Sequence, residues 1–205
     1  MFISFEGLDF CGKSTQVKLL EEYLRKKGNK VKVFREPGGT NISEKIREIL
    51  LDKNNTEMSF ETELLLFAAS RAQLVKEAII PSLSKGYYVI SDRFHDSSVA
   101  YQGYGRGIDL EFITNLQNFI IKPAVPNITF LIDIPVEEVL KRKSKIKQID
   151  LDRIELSEKI FYEKVRRGYF ELSKKEKRFI VIDGLNSIET INQQIVREIE
   201  KYETK

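Results

Sequence analysis

Short runs rich in β-branched and aromatic residues alternate along the chain with longer stretches of helical period. Residues 1–6, 31–35, 88–91, 128–134 and 179–182 predict five buried strands. Between and after them, apolar positions recur three or four apart. Val17, Leu20 and Leu24 lie on a segment that ends at Gly28, and Ile42, Ile46, Ile49 and Leu50 follow. Leu110, Ile113, Leu116 and Ile120 repeat the spacing, as do Phe161, Val165, Tyr169 and Leu172, and then Ile188, Ile191, Ile195 and Ile199. Each set predicts a helix with one face in the core. Every predicted strand is followed by at least one helix, so right-handed crossovers within one sheet are the economical topology. The expected fold is α/β, a five-stranded parallel sheet flanked by helices. No internal repeat, low-complexity tract or Pro/Gly/Ser linker breaks the alternation, and residues 1–205 read as one domain.

Composition adds exclusions. With 41% hydrophobic and 32% charged residues in 205, disordered, collagen-like and coiled-coil readings fail. A net charge of +3, from 34 basic and 31 acidic residues, is too small to argue for nucleic-acid binding. The basic residues concentrate instead in Lys-Arg-Lys-Ser-Lys-Ile-Lys at 141–147, without which the chain is slightly acidic. One cysteine, Cys11, and one histidine, His95, allow neither an intrachain disulfide nor a typical structural zinc site, which favours a reducing, cytoplasmic setting. No apolar run approaches the ~18 residues of a membrane-spanning helix, so no membrane partner is expected. Residues 1–5 leave no room for a signal peptide, and the first residue is expected to begin the folded protein.

The strongest chemical signal is Gly7-Leu8-Asp9-Phe10-Cys11-Gly12-Lys13-Ser14, a G-x-x-x-x-G-K-[ST] phosphate-binding loop between a predicted strand and a predicted helix, with Thr15 following. Its glycines let the backbone wrap phosphate oxygens, and the loop N–H groups join the helix N-terminus in a concave positive field. Lys13 is expected on the β- and γ-phosphates of ATP or GTP, and the Ser14 hydroxyl on Mg²⁺. Two further segments end strands at the carboxyl edge of the sheet, where α/β proteins bind ligands. Arg35-Glu36-Pro37-Gly38-Gly39-Thr40 reads equally as a site turn or as an ordinary turn with a surface ion pair. Ser91-Asp92-Arg93-Phe94 delivers Asp92 as a carboxylate for water-held Mg²⁺ and Arg93 as a forked phosphate donor. The competing reading is a mutual Asp-Arg pair.

Together with Leu-Phe-Ala-Ala-Ser-Arg (66–71), Asp-Ser-Ser-x-Ala-Tyr-Gln-Gly (96–103) and Asp-Arg-Ile-Glu (152–155), these segments resemble bacterial thymidylate kinases in order and spacing over nearly the whole chain. The resemblance implies a P-loop nucleoside monophosphate kinase that phosphorylates dTMP to dTDP with ATP and Mg²⁺, and a homodimer. It places thymine on Phe67 with Arg71 at the base edge, although Phe67 by residue pattern alone reads as core in the apolar run 64–69. It also implies that Ser98 and Gln102 hydrogen-bond the base, that Tyr101 excludes a ribose 2′-hydroxyl, and that Asp9 takes the 3′-hydroxyl or a nearby metal water. Arg35, Arg47 and Arg93 are implied at the acceptor phosphate or in holding Glu36, and Glu36 in the metal network with Ser14 and Asp92. A nucleotide monophosphate is already a capable nucleophile, so Asp92 and Glu36 are assigned to metal and orientation, not proton abstraction.

Residues 141–152 look like the family's lid. The loop interior, Leu8 to Cys11, carries no basic residue, so the lid is expected to supply the catalytic arginine, with Arg142 and Arg153 as candidates beside Lys13 and Arg93. One departure stands out, because the family usually has Gly where this chain has Phe10, a position where a bulky residue excludes conformations that Gly reaches easily. The alternatives are a kinase of another nucleoside monophosphate and a P-loop GTP-binding switch. The switch reading lacks any Asn-Lys-x-Asp guanine motif.

Overall fold

The computed structural model describes residues 1–147 and 151–204. Five strands form one parallel sheet among these residues: β1 (Phe2–Glu6), β2 (Val31–Arg35), β3 (Tyr88–Asp92), β4 (Ile128–Asp133) and β5 (Phe179–Asp183), in the order β2-β3-β1-β4-β5. The helices are α1 (Lys13–Lys26), α2 (Asn41–Leu51), α3 (Phe60–Leu74), α4 (Ile80–Ser84), α5 (His95–Ser98), α6 (Leu110–Ile121), α7 (Val136–Lys143), α8 (Lys159–Lys175) and α9 (Ile188–Glu203). Strand boundaries agree with the sequence pattern to within a residue at each end. The expected α/β architecture is what the chain adopts.

β1 is buried along its full length at the centre of the sheet, flanked by β3 and β4. The chain runs from β1 to one side and then to the other, so the carboxyl ends of β1 and β3 open at the crevice where the winding reverses. Phe5 pairs with Asp92 there, and Arg35 at the end of β2 pairs with Asp92 from the outer side. Side-chain caps fix several helix starts: Thr40 accepts from the Ser43 N–H, Ser59 from Thr62, Asp109 from Phe112 and Ser187 from Thr190.

The first departure from the pattern is in burial: the edge strands β2 and β5 are only partly buried, and Leu110 on α6 and Ile188 on α9, expected in the core, are exposed. On α2 only Leu50 of the four expected core residues is fully buried, while Ile42 and Ile49 are about half exposed, at 52% and 49%. That helix packs on α3, with Ile46 and Leu51 partly buried and Ile42 and Ile49 at the surface. The second departure is helical regularity: Val75–Ile79 and Val99–Gly105 are π-helical turns, which shift the facing of every later side chain. The second π segment carries Tyr101 and Gln102 and lies tightly against α8. A Cβ on Gly168 would come within 2.7 Å of the Tyr104 ring, and one on Gly105 within 2.6 Å of Phe161. Tertiary contact, not local propensity, sets the aim of this segment.

Candidate active site

A cavity of about 560 Å³ opens at the carboxyl edge of the sheet. The loop after β1 forms its floor. Gly7 and Gly12 have φ of +137° and +99°, and a Cβ on Gly7 would strike the Ile132 carbonyl, so the backbone path requires glycine there. Gly12 leads directly into α1, whose first turn carries no acid and whose N–H groups face the loop, a setting that favours an anion. Lys13 is buried and folds back on the loop, donating to the Gly7 and Leu8 carbonyls at 3.2 and 2.8 Å. Cys11 is buried, with Sγ 3.6 Å from the same ammonium. Gly7, Leu8 and Cys11 shape the loop from beneath, while Asp9, Phe10, Gly12, Lys13, Ser14 and Thr15 line the cavity.

Phe10 adopts φ +63°, the left-handed region in which a bulky side chain is strained, and its ring packs against the core. Its carbonyl accepts from Arg142 Nη1 at 3.0 Å, which brings the end of α7 over the phosphate loop. Of the proposed lid, Gln148, Ile149 and Asp150 lie outside the described residues.

Arg93 occupies the centre, also at positive φ, +69°. Its guanidinium donates to the Gly7 carbonyl at 2.9 Å, to Tyr169 Oη at 3.2 Å, to Ser97 Oγ at 3.3 Å, to Tyr101 Oη at 3.1 Å and to the Asp9 carboxylate. Tyr101 in turn donates to Asp9 at 3.1 Å and lies under the guanidinium, 5.0 Å from ring centre to carbon. Burial alone would raise the Asp9 carboxyl, but Arg93 and Lys13 outweigh it and hold Asp9 below the usual range. Beneath them Glu6 is fully buried. It accepts from the Phe94 N–H at 2.8 Å, from Ser97 at 2.6 Å and from Tyr169 at 2.9 Å. Burial, reinforced by Asp96, pushes Glu6 up to about 7.

Ser14 Oγ donates to Asp92 Oδ2 at 2.5 Å. A hydroxyl beside a carboxylate at the mouth of a phosphate loop is the donor set that holds a hard divalent cation arriving with nucleotide, its other ligands being phosphate oxygens and water. Among the described residues no group of three or more His, Cys, Asp or Glu side chains is assembled into a cage. Glu36 lines the cavity with one oxygen, Oε1, buried and unpartnered, so it also retains a free acceptor for a metal-bound water. Burial raises the Glu36 carboxyl despite Arg71 beside it.

Phe67, half-buried, and Arg71, one turn later on α3, both line the cavity, together with Arg35, Arg47, Ser98, Tyr101 and Gln102. Arg47 Nη1 donates to the Pro37 carbonyl at 2.9 Å. Arg71 is 1% exposed and every nitrogen of its guanidinium is engaged: with Glu36, with Ser98 Oγ at 2.9 Å, with Gln117 Oε1 at 2.7 Å and with the Phe94 carbonyl at 3.2 Å. It therefore organises the neighbours that face a base more than it offers free donors. Gln117, a buried residue of α6, was not singled out by sequence because nothing in its surroundings marks it.

One expectation needs correction. Arg153 is not on the cavity wall: Nη1 pairs with buried Glu63 at 2.8 Å and Nε donates to the Leu50 carbonyl at 2.9 Å, so the charge is spent in a structural tie. Its neighbours Asp152 and Glu155 line the cavity instead, both raised by burial and by the charge of Asp9. The motif Asp-Arg-Ile-Glu was legible, but which of its residues faces the site depends on the turn at Asp152, whose carboxylate caps the N–H groups of Ile154 and Glu155 at 2.9 and 2.8 Å. His95 stays outside the site, buried and held down to about 4 by that burial and by Arg178.

The comparisons with known proteins converge on this architecture. A family model described as thymidylate kinase matches residues 5–195. The chain belongs to the thymidylate kinase family. It is 51% identical over 202 residues to the thymidylate kinase of Caldanaerobacter subterraneus subsp. tengcongensis, covering 98% of this chain and 95% of that one. The thymidylate kinase of Kosmotoga olearia is 51% identical over 199 residues, 97% and 94% of the two chains. Among solved structures, thymidylate kinase from Ehrlichia chaffeensis superposes with a TM-score of 0.79 at 36% identity, covering 98% of each chain. The family is thus shown by sequence and fold independently of any single site residue.

Proposed function

We propose that the protein transfers the γ-phosphoryl group of ATP to the 5′-phosphate of dTMP, giving dTDP and ADP. The observation that carries this reading is one cavity in which the phosphate loop and the Ser14–Asp92 pair adjoin Arg93, Asp9 and Tyr101, with Phe67 on the wall. In-line transfer between two nucleotides needs position and charge neutralisation more than proton chemistry. Lys13, resting on weak carbonyl partners, is free to exchange them for phosphate oxygens. Arg93, anchored by Asp9 and the Gly7 carbonyl, holds the acceptor phosphate with Arg47, and Arg142, already over the Phe10 carbonyl, neutralises the moving phosphoryl. Mg²⁺ held by Ser14 and Asp92, with Glu36 in its water network, would draw charge from the donor phosphates. In this reading Asp9 takes the 3′-hydroxyl, and the Tyr101 ring beneath Arg93 is the group set against a 2′-hydroxyl.

A coupled ADP-release assay with dTMP, UMP, CMP and AMP tests the reading. Turnover should be greatest with dTMP by orders of magnitude, and equal or greater turnover of another monophosphate refutes it. We further infer a cytoplasmic homodimer. Ile42, Phe60, Leu65, Phe112 and Phe119 expose large apolar side chains on α2, α3 and α6, of which α3 packs on both others, with Phe119 at 85%, which is more than a monomer ordinarily leaves in water. Light scattering of wild type and Phe119→Glu checks it: a monomeric wild type removes the inference.

A further inference from the structure

Glu63, one turn before Phe67 on α3, has no role in the reading above, yet it is fully buried and draws together three other side chains. Gln102 Nε2 donates to it at 2.9 Å, Arg106 Nε at 3.3 Å and Arg153 Nη1 at 2.8 Å. Glu63 faces two guanidinium groups and accepts from all three neighbours, so the Gln102 amide turns its NH₂ toward Glu63. The carbonyl oxygen is then the end directed away from Glu63, on a residue that lines the cavity. Ser98, one helical turn earlier and also on the cavity wall, has the opposite polarity imposed on it. Arg71 can only donate, and does so to Ser98 Oγ at 2.9 Å, which leaves the serine its own proton to give.

The wall therefore presents a donor at Ser98 and an acceptor at Gln102, each fixed by a buried charge behind it. An imide edge, with a carbonyl oxygen beside a ring N–H, matches that order. The edge of cytosine, an amino group beside a ring nitrogen lone pair, meets it donor to donor and acceptor to acceptor. We propose that Glu63 is a specificity-determining residue, acting through Gln102 to select pyrimidines that carry N3–H over aminopyrimidines. This rests on the dTMP reading above.

The test is kcat and KM for dTMP and dCMP in wild type, Glu63→Gln, Gln102→Met and the double variant, with melting curves for each. Freed from an obligate acceptor, the Gln102 amide can turn over, so Glu63→Gln should lower the dTMP-to-dCMP ratio of kcat/KM about tenfold or more, chiefly through KM. The same substitution in the Gln102→Met background should change the ratio little, because its effect runs through the amide. If Glu63 only ties α3 to Arg106 and Arg153, both nucleotides lose alike, the ratio stands, and the proposal is overturned. If Glu63→Gln does not fold, Glu63→Asp keeps the charge facing both arginines while withdrawing the carboxylate by one methylene, and carries the same expectation. A wild-type protein inactive on dTMP overturns the functional reading itself. One that is active and selective, with variants equally selective, overturns only the role of Glu63.

Discussion

Replacing Glu6 with Gln should change how stability depends on pH. The carboxyl of Glu6 is surrounded by protein, with Asp96 adding repulsion, and titrates at about 7 in the fold against 4.5 for an exposed glutamate. Between those values the native protein keeps a proton that the unfolded chain has released, so stability falls as pH rises from 4.5 to 7 and is level beyond. The whole interval is worth about 3 kcal/mol. Gln in that position can still accept from the Phe94 N–H, and the hydroxyls of Ser97 and Tyr169 can turn to accept from its NH₂, since each also meets Arg93 as an acceptor. Urea unfolding of both proteins at pH 4.5, 6 and 8 gives the comparison. His95, held down to about 4 from 6.5, titrates across an overlapping range with the opposite sign, its contribution being lost as pH falls from 6.5 to 4. It is common to both proteins and cancels in the difference. Glu6→Gln should gain on the wild type by about 3 kcal/mol between pH 4.5 and 8. Parallel stability curves would refute the assignment of a proton to Glu6 and with it the account of this buried cluster.

Arg93→Ala should reduce kcat/KM for dTMP by about a hundredfold or more while calorimetry shows ATP-analogue affinity nearly unchanged, since the guanidinium faces Asp9 and Tyr101 on the acceptor side. Unaltered kinetics would remove Arg93 from the site. At Phe10, Gly should be more stable than Ala by about 1 kcal/mol in urea unfolding, because both lose the ring and only Ala keeps the strain of φ +63°. Equal stabilities would mean that the loop relaxes when the ring is removed.

The alternation of strand-like and helical runs determined the α/β class, the five strands and their parallel sense, because the apolar period of each segment is a local property that burial merely satisfies. The phosphate loop was legible for the same reason. Its glycines, lysine and serine act through the backbone of one strand-to-helix turn, and Ser14 needed only the end of β3 to meet Asp92. Arg153 and Asp152 show where local reading stops. Adjacent in sequence, they face opposite ways, one paired with Glu63 and the other in the cavity, and no spacing rule encodes that choice. The π-helical turn at Val99–Gly105 likewise has no period to read, yet it aims Tyr101 and Gln102, because packing on Gly168 and Phe161 overrides the regular ladder. Glu63 and Gln117 would be surface residues on composition alone, and nothing in the strand pattern names the donors around Glu6. Only the tertiary structure surrounds them with donors, and a buried polar group derives its role from the partners that keep it buried.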